Sequence, residues 1–155
     1  MAEGFRFKLE RLLQLKVKEM DQLKEDLKAK REEISKVEER IETLNREIEA
    51  LYEEEIRIIT FEKSGKFLRE DVVRYRKDLQ KLREELKKEL AVLHEQENEI
   101  LARLRTKMRE KKIMENLKSR SLQEHLQEQR RKEAVFIDEI ALQKFIRENI
   151  RRTPS

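Results

Sequence analysis

Apolar residues return every three or four positions from Leu9 through Leu13, Met20, Leu23, Leu27, Ile34, Val37, Ile41, Leu44, Ile48 and Leu51. That period leaves a long amphipathic helix with one narrow seam as the natural fold of this stretch. With Met20 at heptad position a, Ile34, Ile41 and Ile48 also fall at a, and Leu44 and Leu51 fall at d. Lys16 and Lys30 interrupt the seam, where their methylenes can lie along it while the ammonium groups reach water. A second seam runs through Leu68, Val72, Tyr75, Leu79, Leu82, Leu86, Leu90, Leu93, Ile100 and Leu104. The steps from Leu82 through Leu86 to Leu90 insert one residue relative to strict heptads and predict a local relaxation of the supercoil.

Between the seams, Glu62-Lys63-Ser64-Gly65-Lys66 is the one central breaker, and Gly65 can take the left-handed conformation that ends a helix. Two seams joined by so short a break each find a partner most simply by folding back on one another. The expected fold class is all-α, two long helices in an antiparallel coiled-coil hairpin with a C-terminal helical overhang. One domain over residues 1–155 would hold a helix at about 5–61, a turn at about 62–67 and a helix at about 68–150. Leu51 would then lie near Tyr75 or Leu79, Leu27 near Ile100, and Leu9 near Leu117. At 1.5 Å per residue the arms would make a rod roughly 80 to 90 Å long. Parallel self-association through the same a and d positions into a structural scaffold is the alternative.

This register leaves the C-terminal residues past the end of the first helix. Val135, Phe136, Ile137, Ile140, Ala141, Leu142, Phe145, Ile146 and Ile150 make that segment apolar on more than one helix face, so something must bury part of it. Tyr52, Phe61, Phe67 and Tyr75 gather around the expected turn, too many rings for a two-helix tip to cover, which marks the tip as a second partner surface.

Composition narrows the chemistry. Only two glycines exclude a phosphate-cradling loop, and the absence of cysteine excludes thiolate metal sites and thiol nucleophiles. His94 has no second histidine one turn on, and His125 lies far away, so neither reads as a metal ligand. Charged residues make up 46% of the chain yet the net charge is only +4, the pattern of solvated faces laced with ion pairs. No catalytic site, cofactor or metal is expected. Basic clusters at Arg103, Arg105, Lys107, Arg109, Lys111 and Lys112, and at Arg130, Arg131, Lys132, Arg151 and Arg152, could follow a phosphate backbone. Interleaved glutamates and missing aromatics favour a solvated or acidic-protein-binding face over nucleic acid. Glu38, Glu39, Glu42, Glu47, Glu49, Glu53, Glu54 and Glu55 make the first helix acidic towards the turn. No stretch has the apolar length of a membrane span or the apolar core of a signal peptide, so a cytoplasmic protein is expected.

The opening Phe5-Arg-Phe-Lys-Leu-Glu-Arg-Leu-Leu-Gln-Leu-Lys, the segment Met108-Arg-Glu-Lys-Lys-Ile-Met-Glu-Asn-Leu-Lys and the closing Phe136-Ile-Asp-Glu-Ile-Ala-Leu resemble, in order and spacing, the flagellar export protein FliJ family over nearly the whole chain. The resemblance implies a non-enzymatic part of the flagellar type III export apparatus, similar to the stalk of a rotary ATPase. Its implied partners are the hexameric export ATPase, which it would stimulate, the cytoplasmic domain of the export gate and the export chaperones. It would sit in the cytoplasm at the flagellar base, associated with the inner membrane through those partners only. On this sequence the candidate contacts are Ile48, Tyr52, Phe67, Tyr75 and Leu79 at the tip, and Arg109, Lys111, Lys112, Phe136, Ile140 and Phe145 at the open end.

Overall fold

The computed structural model describes residues 4–61 and 66–152, with side chains for 4–60 and 68–151, so the expected turn at 62–67 lies outside the described side chains. Two helices account for nearly all of it, α1 over Glu10–Phe61 and α2 over Lys66–Arg152, and the protein is an all-α helical hairpin. α1 starts at Glu10 rather than near residue 5. The Glu10 backbone N–H donates to the Phe7 carbonyl at 3.1 Å and closes a turn ahead of the helix. Contacts within the chain group into two units, one of Met1–Lys18 with Lys107–Ser155 and one of Glu19–Thr106.

In the unit Glu19–Thr106 the helices run antiparallel, and paired side chains give the register. Arg83 donates to Asn45, and fourteen residues further along each helix Arg31 meets Glu97. Tyr52 meets Arg76 at the other end of the same register. Ile34, Val37, Leu44, Ile48, Leu79, Leu86 and Leu93 form the buried core, with Ile41, Leu51 and Leu90 packed against it. Each such side chain contributes about 1.5 to 3 kcal/mol on leaving water.

The covered positions follow strict heptads on both helices. On α1 one column is Met20, Leu27, Ile34, Ile41, Ile48 and Glu55, and the other is Leu23, Lys30, Val37, Leu44, Leu51 and Ile58. On α2 the columns are Val72, Leu79, Leu86, Leu93 and Ile100, and Arg76, Arg83, Leu90, Glu97 and Leu104. The expected extra residue between Leu82 and Leu90 is therefore absent. Leu82 is exposed, and the seam position beside it belongs to Arg83, whose stem lies between the helices while its guanidinium reaches Asn45 at 3.0 Å. Leu68 and Tyr75 are likewise exposed rather than in the seam. Ile58, at 2% exposure, is the most deeply buried of the described side chains and extends the α1 column past Leu51, where the sequence pattern loosens.

Lysines in the seam behave as their chemistry dictates. The Lys30 ammonium leaves the apolar column to donate to Gln96 at 2.9 Å.

In the unit of Met1–Lys18 and Lys107–Ser155 the buried residues are Leu13 and Met114, while Leu9 and Leu117 stay on the rim. Lys16 donates to Glu110 at 2.6 Å, and Lys118 pairs with Glu10 at 2.8 Å. The Lys16 ammonium, helped by Lys107, holds the Glu110 carboxyl below its ordinary value, so this bridge keeps its charge well into mildly acidic solution.

Candidate protein-interaction surfaces

The end of the unit Glu19–Thr106 nearest the helix break carries one candidate surface. Ile48 and Leu79, both expected as contacts, are buried between the helices and hold the register instead of facing a partner. Tyr52 and Tyr75 are exposed. Phe67 lies outside the described side chains.

Tyr52 is held in place. The Arg76 guanidinium carbon sits 4.1 Å from the centre of its ring, a cation–π contact. The Tyr52 hydroxyl accepts from Arg76 Nη1 at 2.9 Å and from Gln80 Nε2 at 3.0 Å. Arg76 Nε lies 3.4 Å from Glu55 Oε2, close enough for an ion pair though not aligned for a hydrogen bond. Both charged side chains are mostly shielded, at 12% and 16% exposure, so their attraction is less screened than that of a surface pair. Arg76→Ala should destabilise this unit by about 1 to 3 kcal/mol, because it strands Glu55 and removes the ring contact. A double-mutant cycle with Tyr52→Ala, read by urea denaturation, should return a coupling of about 0.5 to 2 kcal/mol, and additivity would contradict the contact.

Around Tyr52 the apolar surface is wider than the sequence reading made it. Ile56 and Ile59 follow Tyr52 at helical spacing on α1 and are exposed, and Leu68, Tyr75 and Leu82 recur at seven-residue intervals on α2 and are exposed as well. The signal for Ile56, Ile59 and Leu68 was available, since a two-helix seam uses only two or so positions in seven and this stretch has more apolar residues than that.

The second candidate surface belongs to the unit of Met1–Lys18 and Lys107–Ser155. Arg109 and Lys112 are exposed, whereas Lys111 is half-buried on the column that faces α1 and pairs with Glu115 at 3.5 Å. From Arg130 to Arg151 every described side chain is exposed. Phe136, Ile140 and Phe145 are among them. At 3.6 residues per turn, Phe136 and Ile140 project to one side, Val135, Leu142 and Ile146 to a second, and Ile137 with Ala141 to a third. Apolar side chains therefore ring the helix, with Asp138, Glu139, Lys144 and Arg147 set between them.

Among the described residues no group of three or more His, Asp or Glu could hold a metal ion, and no helix is long and apolar enough to cross a membrane. Known proteins add one finding. No curated protein and no solved structure matches the chain. The family model described as flagellar FliJ protein matches residues 5–149, nearly the whole chain. On that match the chain belongs to the flagellar FliJ protein family and is a non-enzymatic component related to flagellar protein export.

Proposed function

We propose that this chain is a stalk of the flagellar export apparatus, which binds and stimulates the export ATPase ring and connects it to the cytoplasmic domain of the export gate and to export chaperones. The observation that carries the reading is the α2 segment from Arg130 onward, exposed throughout and carrying apolar side chains on every side among its charged ones. Such a helix suits a partner that encloses it, as the lumen of a hexameric ring does, better than a flat surface that covers one face. Phe136, Ile140 and Phe145 are the anchors, with Arg109 and Lys112 as charged contacts roughly 36 to 40 Å back along α2 and Lys111 set back at the seam. The exposed Tyr52 and Tyr75, with Ile56, Ile59 and Leu68, serve the gate or a chaperone, and Arg76 keeps the Tyr52 ring in one orientation. Phe67 belongs to the same proposal on sequence grounds. Attachment to the inner membrane at the flagellar base runs through these partners.

A parallel scaffold would need Ile34, Leu44 and Ile48 for its own interface, and those residues already pack against α2. A nucleic-acid surface is disfavoured because Lys107, Lys111 and Arg131 face Glu110, Glu115 and Glu128. The test adds purified chain to its cognate ATPase and measures the hydrolysis rate and co-elution. A higher rate with co-elution supports the stalk reading; no stimulation and no binding to either ATPase or gate fragment ends it.

A further inference from the structure

A groove of about 590 Å³ lies between the segment Phe5 to Arg11 and residues Lys118 and Leu122 of α2. Its shape follows from how the chain enters α1. Gly4 has a φ of 78°, in the left-handed region that glycine adopts without strain. Beyond it the Phe5 ring meets His125 of α2 at 5.6 Å between centroids, tilted by 49°. Phe5, Phe7 and Leu122 are half-buried and form an apolar floor.

The rim is basic. Arg6, Lys8 and Arg11 are exposed and form no ion pair with a described residue. Among the described residues of the lining the one carboxylate is Glu10, which pairs with Lys118. Arg6, Lys8 and Arg11 thus place three positive charges around an apolar floor. An apolar centre within a polar rim is the anatomy of a binding patch rather than of a solvated face.

We infer that this groove docks an acidic peptide of another protein, one that seats a single apolar side chain on Phe5, Phe7 and Leu122 and presents carboxylates to Arg6, Lys8 and Arg11. A single-stranded nucleic acid fits less well, because stacking its bases requires open ring faces, and both phenylalanines are half-buried. The acidic stretch of a second copy, where Glu39, Glu47, Glu49 and Glu53 are exposed, is the competing occupant that the experiment separates. The inference goes beyond the stalk reading and stands without it, since its probe is neither ATPase nor gate.

The experiment titrates the full chain into a fluorescein-labelled oligoglutamate peptide with one central leucine and follows anisotropy at low salt. Saturable binding is expected, weakened at least tenfold by Arg11→Glu, weakened by Phe7→Ala, and unchanged by Lys88→Glu on an exposed face of the other unit. Arg11 is exposed, so unaltered circular dichroism in that variant separates lost binding from lost folding. Equal binding of an oligoglutamate without leucine would overturn the inference, because the apolar floor would then play no part. So would tighter binding of an oligothymidylate of equal charge, a fall in peptide binding explained by self-association of the chain, or no binding at all.

Discussion

Truncating Ile48 to alanine lowers the stability of the unit Glu19–Thr106 by about 2 to 5 kcal/mol, while Tyr75→Ala changes it by no more than about 0.5 kcal/mol. The contrast follows from position. Ile48 is 3% exposed and packs within a core that includes Leu44, Leu79 and Leu86. A two-helix seam has few layers above or below that can close around the cavity, so relaxation recovers little. Tyr75 is 54% exposed and leaves no void behind. Urea denaturation measures both values, and a shift in midpoint without a change in slope identifies the effect as stability rather than altered compactness. Equal effects of the two substitutions would contradict the assignment of Ile48 to the seam and of Tyr75 to the surface.

The second large effect is on binding. Phe136→Asp combined with Ile140→Asp should leave the thermal unfolding of the paired helices within about 1 °C to 2 °C, since neither side chain packs in the seam and surface changes of this kind cost little. Affinity for the ATPase ring should fall by about 4 kcal/mol, roughly a thousandfold, because two adjacent apolar anchors are replaced by carboxylates that must be desolvated. Stimulation of hydrolysis should vanish with it. Co-sedimentation and hydrolysis rates read both quantities. A double variant that still stimulates fully would remove the C-terminal segment from the ring interface.

The antiparallel register was legible before any coordinates, because in a hairpin the position of the break determines which residues face each other. Placing the turn near Gly65 sets Leu51 against Tyr75 or Leu79 and Leu27 against Ile100. The side chains observed to meet, Tyr52 with Arg76 and Arg31 with Glu97, lie beside those pairs. What an apolar pattern could not show is that Arg76, Arg83 and Glu97 occupy seam positions. A long charged side chain covers its neighbours with methylenes and sends its head to a partner on the facing helix, so hydropathy at that position misreports burial. The same limit produced the apparent extra residue at Leu82. The surplus of apolar residues near the break was visible in the sequence, but which of them face outward, as Ile56 and Leu68 do, follows only once the register of both helices is known.

Those charged seam positions govern how the pair responds to force. Leucine and isoleucine columns alone would be nearly indifferent to one helix sliding past the other by a heptad, since each apolar layer would meet another. Sliding by a heptad in one sense would set Glu97 against Glu38 in place of Arg31, and in the other would move Arg76 from Glu55 to Ile48. Either sense breaks a pair made across the seam, at a cost of roughly 1 to 3 kcal/mol. The charged residues act as keys in slots. Within this unit a push or a twist on either helix is therefore carried by both together, and the pair can flex as one beam while resisting shear along its own seam.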